Sequence, residues 1–234
     1  IVSDCKHKIF KKRDEREKPM LDDKILTSWN ALMITAWCDA FQATGKTEYR
    51  SKALTLANFI QNHLYDQNSG RLKRSYGMKI NGFLDDYALL SEAFIKLYQI
   101  SFEEKWMNRA KRLILHSLDH FFDAERDMFF YSPDYESNPV SRQTEITDNV
   151  ISSSNSVMAR VLFLTGIFFD DREFTGISKQ MLLNTQSYLR KSPEFFANWG
   201  SLLLLYTHKF SEVVLTGDNA MELREDFCGK YLPD

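Results

Sequence analysis

Acidic, amide and aromatic side chains gather at three places in this chain, in combinations suited to hydroxyl-rich ligands. Ser28-Trp29-Asn30, Asp85-Asp86-Tyr87 and Ser153-Ser154-Asn155 bring together carboxylates, amides and flat rings, and Glu145 and Asp148 stand just ahead of the third group. In cleavage of a glycosidic bond, one carboxylic acid protonates the leaving oxygen while a second carboxylate activates water or attacks. Asp86 with Asp148 or Glu145 is the pair that reading selects, with Asp85 adjoining it. Trp29, Asn30, Tyr87 and Asn155 are the matching ligand-binding candidates. Proton abstraction beside a carbonyl would more often use histidine, and the histidines lie elsewhere.

Each candidate also has a plainer role. Ser, Asp and Asn are the preferred N-cap residues of helices, and Asp22 and Asp23 suit a loop leading into one. His116 and His120 have the i, i+4 spacing of a metal pair. The stretch reads HSLDH, without the glutamate of a zincin, so no metal is assigned and no cofactor is implied. Cys5, Cys38 and Cys228 are far apart and form no Cys-x-x-Cys, which excludes a zinc site or thioredoxin-type pair built from them alone.

The elements that must position these residues are legible as a repeat. Shifted by 57 positions, Ala40–Ser75 falls on Leu97–Ser132 without a gap: Phe41 on Tyr98, Tyr49 on Trp106, Ala53 on Ala110, His63 on His120. Leu26 to Ala43 and Leu84 to Ile100 are apolar around most of their circumference, as helices buried on both sides are. Tyr49, Ala53, Leu56, Ala57, Ile60 and Leu64 form one apolar stripe, and so do Trp106, Ala110, Leu113, Ile114, Ser117 and Phe121, the pattern of an outer helix. A capping box, Ser101-x-x-Glu104, is expected to start the second of these. Gly70 to Gly82 and Asp127 to Tyr135 read as rim loops or small β-hairpins, and Phe129, Phe130 and Tyr131 as packing between outer helix and rim. A looser third copy, displaced by about 68, has an inner helix over Ser153–Phe169 and an outer one over Arg172–Arg190. Pro193 suits the first turn of a last inner helix reaching Tyr206. The shift of 57 places Ser28-Trp29-Asn30 on Asp85-Asp86-Tyr87, and the third copy places Ser153-Ser154-Asn155 there too. All three groups therefore start inner helices, whose free N–H groups and positive dipole ends favour hydroxyl or anionic ligands.

The predicted architecture is mainly α: repeated helix hairpins forming part of an α/α toroid, with short rim β-hairpins. Residues 1–24 form a charged N-terminal arm, solvated or disordered, and lead-in loop, 25–210 the hairpin domain, and 211–234 an extended C-terminal tail, with Glu212–Thr216 a strand or extended stretch. About three and a half hairpins are present, where a complete toroid has six. The formal net charge of −2 argues against nucleic acid or an anionic membrane surface as partner. No apolar run reaches the length of a membrane span, and the reduced-thiol pattern points to the cytoplasm. The expected partners are a saccharide and a second copy of the chain, paired through the open flank of the half-ring.

The segment Asp22-Asp23-Lys24-Ile25-Leu26-Thr27-Ser28-Trp29-Asn30-Ala31-Leu32-Met33-Ile34 resembles the DDK-x-L-x-x-WN-x-LMI segment of the spermatogenesis-associated-protein-20-like family, whose bacterial members are thioredoxin-domain-containing proteins. Gly82 through Ala88 resembles that family's G-x-LDDYA segment. Asp148 through Ser156 resembles its D-x-x-x-PSGNS segment, with Ser152 in place of Pro and Ser154 in place of Gly. The resemblance implies a thioredoxin-like domain followed by an α/α toroid of the six-hairpin glycosidase superfamily, of which this chain matches the later part. That superfamily includes sugar epimerases and glycoside hydrolases. The resemblance thus implies a carbohydrate-active or carbohydrate-binding toroid, against the alternative of a non-catalytic structural or interaction module.

Overall fold

The computed structural model describes residues 1–136, 142–208 and 211–228. Parts of the expected hairpin domain and tail (137–141, 209–210 and 229–234) lie outside the described residues. The helices are α1 (Val2–Asp14), α2 (Thr27–Thr44), α3 (Thr47–His63), α4 (Leu84–Ser101), α5 (Glu104–Phe121), α6 (Ser154–Phe168), α7 (Arg172–Lys191), α8 (Ala197–Thr207) and α9 (Ala220–Cys228). A two-stranded antiparallel ribbon, β1 (Phe122–Asp123) and β2 (Met128–Phe129), follows α5.

Three hairpins repeat: α2 with α3, α4 with α5, and α6 with α7. The inner helices α2, α4 and α6 pack side by side, and α8 follows against α6 and α7. Burial separates the layers of the second hairpin as the sequence pattern predicts, whereas α2, expected to be buried on both sides, is buried along one face only. Within α4, Leu84, Tyr87, Ala88, Leu90, Ala93, Phe94 and Leu97 are all fully buried. The outer helix α5 buries Trp106, Ala110, Leu113, Ile114, Ser117 and Phe121 while its opposite face stays wet. Between α6 and α7 the approach is close enough to require Gly166, where an added Cβ would sit 2.6 Å from Thr175 Cγ2 and 3.0 Å from Asp171 O.

Neighbouring inner helices are registered by ion pairs that join the same repeat positions. Lys96 Nζ lies 2.8 Å from Asp39 Oδ1, joining α4 to α2, and Arg160 on α6 pairs with Glu92 on α4. Asp39 and Lys96 are related by the 57-residue shift, and Glu92 and Arg160 by the 68-residue one. Each hairpin is closed at its rim by the stretch after the outer helix. Thr27 N donates to Arg74 O, and the equivalent Leu84 N donates to Tyr131 O, both at 2.9 Å.

Three elements differ from expectation. Ser101 does not open the outer helix: it ends α4, its hydroxyl turned back to Leu97 O at 2.7 Å, and Phe102 follows in the left-handed region at φ 57°. A Ser near a helix end can bond its own i−4 carbonyl as readily as the next helix. The tail is not wholly extended, because Ala220–Cys228 forms α9; Ala, Met, Glu, Leu and Arg in succession are strong helix formers. There Arg224 stacks over Phe41 at 4.7 Å, returning the chain to the end of α2. The N-terminal arm is helical over Val2–Asp14 yet buries nothing, and acids early with bases late favour that helix.

The spaced histidines are part of a ring column. His116 stacks on Tyr87 with centroids 5.0 Å apart and planes 7° from parallel. His120 packs against His116 and bonds Asp134 Oδ1 at 2.9 Å. Burial, with His120 and Arg71 nearby, pushes His116 down to about 4, against the smaller opposing pull of Asp119 and Asp134. A histidine held neutral stabilises the fold above its unfolded pKa of about 6.5, and the stability is lost as pH falls through the folded value. His116→Phe should therefore flatten the decline in urea midpoint on the acid side of neutrality, removing a pH-dependent difference of roughly 3 kcal/mol. Gly166→Ala should lower stability at all pH values by about 1–3 kcal/mol, measured by the same urea titration.

Candidate functional site

The inner helices begin at one rim, and their free N–H groups meet there. Asp86 sits in the first turn of α4 with no exposed surface. Its Oδ1 accepts from Ser28 N at 2.9 Å, in the first turn of the neighbouring α2, and its Oδ2 accepts from Phe83 N at 3.0 Å. Arg74 Nη1 completes the set, 3.0 Å from Asp86 Oδ2 and 2.7 Å from Asp85 Oδ1. Asp148 does the same on the other side. Its Oδ1 accepts from Ser153 N and Ser156 Oγ, at the start of α6, and its Oδ2 from Asn198 N, at the start of α8, at 2.9 to 3.0 Å. Each carboxylate ties two adjacent inner helices by their N-termini, where the positive dipole ends favour an anion.

Between these two staples lies a more open group. Glu145 is exposed, with Oε2 accepting from Ser154 N at 3.1 Å. Tyr131 is half-buried, its ring stacked on Phe83 at 5.1 Å. Burial raises the Tyr131 hydroxyl well above its ordinary range, and Asp85, Asp86 and Glu145 add to the rise against Arg74. Tyr131 therefore lies within the electrostatic reach of all three acids and of Arg74. Burial and the charge of Asp85 push Asp86 above the usual carboxylate range, while Arg74 pulls it back. Burial alone would weaken the Arg74 proton; Asp86 and Asp85 more than reverse that.

The sequence candidates divide in space. Asp85, Asp86 and Glu145 come together around Tyr131 and Arg74, whereas Asp148 is engaged at the starts of α6 and α8. Trp29 is 65% exposed, at the edge of the rim. Asn30 donates back to Leu26 O at 2.7 Å. Tyr87 is fully buried: His116 covers its ring, and its hydroxyl accepts from Leu72 N at 2.8 Å. Asn155, also buried, exchanges bonds with both backbone groups of Phe129 and donates to Glu145 O. It thus pins β2 and the Glu145 segment to the start of α6. Arg74 and Tyr131 were not singled out as site residues by sequence, although the signal existed. They are related by the 57-residue shift and each precedes the Ser of its rim copy.

Among the described residues no three His, Cys, Asp or Glu side chains are grouped as a metal would require. Burial pushes the Cys38 thiol up to about 12, which disfavours the thiolate form that redox chemistry uses. No described helix is long and apolar enough to cross a membrane.

Removing a staple should be costly. Asp86→Ala leaves Ser28 N and Phe83 N without acceptors and Arg74 with one partner fewer, a loss expected to reach about 3–5 kcal/mol in urea unfolding. Arg74→Met removes the guanidinium that opposes the adjacent acids. An acid whose folded pKa is raised stabilises most below its unfolded pKa and less as pH climbs through the folded value. The Arg74→Met deficit relative to wild type should therefore widen from about pH 4 to pH 8.

No protein-family model matches the chain. It is 27% identical over 223 residues to mouse spermatogenesis-associated protein 20, covering 90% of this chain and 28% of that protein. It is 26% identical over 233 residues to an uncharacterised Caenorhabditis elegans protein, covering 95% of this chain and 31% of that one. The chain therefore spans less than a third of the length of these relatives. Among solved structures it superposes on a glycoside hydrolase family 76 α-mannanase of Bacteroides thetaiotaomicron with a TM-score of 0.65 at 15% identity, covering 90% of this chain and 59% of that one. Cellobiose 2-epimerase of Bacillus thermoamylovorans gives 0.59 at 15% identity, covering 71% and 46%. An inactive variant of a Salegentibacter α-1,6-mannanase, with two adjacent aspartates changed to asparagine, gives 0.59 at 12%, covering 69% and 47%. The chain is thus similar in sequence to spermatogenesis-associated protein 20, and its fold is part of an α/α toroid like those of the mannanase and epimerase structures.

Proposed function

We propose that the rim formed by the inner-helix starts binds a neutral saccharide, with Asp85, Glu145 and Tyr131 facing the ligand and Asp86 and Arg74 holding them in place. What supports this reading is that Arg74 holds Asp85 and Asp86 at the start of α4, where Leu84 N also meets Tyr131 O, while Glu145 accepts from Ser154 N at the start of the neighbouring α6. Three carboxyl groups against one cation leave the site short of positive charge, which disfavours uronates and sugar phosphates. Neutral sugars are also what the fold's solved neighbours are named for: mannanases, cellobiose epimerases and a mannose isomerase. The mannanase made inactive by changing two adjacent aspartates supports placing chemistry at an adjacent acid pair. If bond cleavage accompanies binding, one carboxyl protonates the leaving oxygen and another activates water.

A second reading is a structural or interaction module. It is favoured by Asp86 and Asp148, whose carboxylates are both bonded to helix N-termini. Calorimetric titration with manno- and cello-oligosaccharides separates the two. Saturable binding by wild type, lost in Glu145→Gln with the helical circular dichroism intact, is the expected result. Absence of binding to any neutral oligosaccharide by the folded wild type would leave the module reading in its place.

A further inference from the structure

The outer helices α3 and α5 belong to consecutive hairpins, and the groove between them carries arginines that no acid answers. Lys105, Arg109 and Arg112 recur at i, i+4 and i+7 along one side of α5. Lys105 and Arg109 lie over the ring of the buried Trp106, 5.0 and 4.8 Å from its centroid. Across from them, Gln61 is in the last turn of α3 and Tyr65 follows one turn on. Burial raises the Tyr65 hydroxyl, and Arg112 and Arg109 pull it back against Asp66, so both guanidiniums stand within its electrostatic reach.

The groove is rich in donors and poor in acceptors. Arg109 and Arg112 enter no ion pair among the described residues, and Arg109 Nη1 is enclosed without a partner. The Tyr65 hydroxyl and the amide of Gln61, a residue only 5% exposed, also bond to no described group. The two nearby acids are engaged elsewhere: Glu103 pairs with Lys105, and Asp66 accepts from Asn68 N and Ser69 Oγ within its own turn. Burial and the neighbouring Arg112 lower the Arg109 pKa, against the smaller pull of Tyr65 and Glu103.

The hairpin repeat does not call for this arrangement. The positions of Arg109 and Arg112 are held by Lys52 and Thr55 in α3 and by Ile177 and Gln180 in α7. On the other side of α5, facing α7, Lys111 has its acid, with Nζ 3.9 Å from Asp171 Oδ2. Two guanidiniums without a carboxylate, beside a free phenol and a free amide, suit a dianionic oxyanion. Guanidinium forks bind phosphate oxygens two at a time, and the bonds are charge-assisted.

We propose that the groove between α3 and α5 binds a phosphate group, free or as a monoester, with Arg109 and Arg112 as its main partners and Tyr65 and Gln61 as further donors.

The test is calorimetric titration with inorganic phosphate and with O-phosphoserine, in chloride buffer at fixed ionic strength. The proteins are wild type, Arg112→Gln, Tyr65→Phe and Lys111→Gln, each checked for helical circular dichroism. Arg112 is exposed, so its replacement should leave the fold intact. Saturable binding by wild type is expected, weakened at least about tenfold in Arg112→Gln, less in Tyr65→Phe and not at all in Lys111→Gln. Tighter binding of phosphoserine than of inorganic phosphate identifies an ester as the ligand, and the reverse identifies the free ion. No saturable binding of either probe by wild type at millimolar concentration overturns the proposal. Equal weakening by Lys111→Gln and Arg112→Gln also overturns it, since the attraction would then be to general surface charge. Glu145→Gln, which alters the saccharide rim, should leave phosphate binding unchanged.

Discussion

Helices that start side by side at one rim confront each other with positive dipole ends and unpaired N–H groups, and this constraint shapes the rest of the structure. Every helix leaves its first N–H groups without an intrahelical partner, and adjacent parallel starts add mutual repulsion. Asp86 answers both for α2 and α4 by accepting from Ser28 N and Phe83 N. Asp148 answers both for α6 and α8 by accepting from Ser153 N and Asn198 N. A buried carboxylate without partners would be strongly destabilising. One that satisfies the starts of two helices is held by the fold it supports.

Other features follow from fixing the helices at that end. With the starts tied, the ion pairs Asp39–Lys96 and Glu92–Arg160 fall between equivalent positions further along. The rim stretch after each outer helix can then reach back with the same carbonyl, Arg74 O or Tyr131 O, to the first inner-helix residue. Arg74 and Tyr131 thereby stand at equivalent points above the acids, which assembles the mixed charged and aromatic group at the rim. Asn155 extends the scheme to the third copy by pinning β2 and Glu145 to α6.

Much of this was legible in the residues. The helix boundaries of the first two hairpins fall within a residue or two of the apolar pattern, because burial on both sides or one side leaves a clear periodicity. The repeat likewise put Trp29, Asp86 and Ser154 at equivalent places. The division of labour among those places was not legible. Asp86 and Asp148 read alike as acids near helix starts, yet what each touches depends on a helix tens of residues away. Tyr87 read as a flat ring free to stack, but His116, 29 residues on, covers it. Arg74 was hidden because a lone arginine in a polar loop carries no signature until its partners are placed. Ser101 misled for a local reason, its hydroxyl having two acceptable backbone partners.

The placement of the staples has a consequence for how such an array can grow or shrink by gene duplication. Asp86 belongs by sequence to the second hairpin but completes the first helix of the one before it. The segment that can be copied and the segment that can stand alone are therefore out of phase. A duplicated stretch cut at a helix start would leave its own leading end uncapped unless the next unit followed in line. At the corresponding place α2 carries Trp29, not an acid. Ring architectures built this way tolerate the exchange of whole arcs more readily than the loss of one internal hairpin.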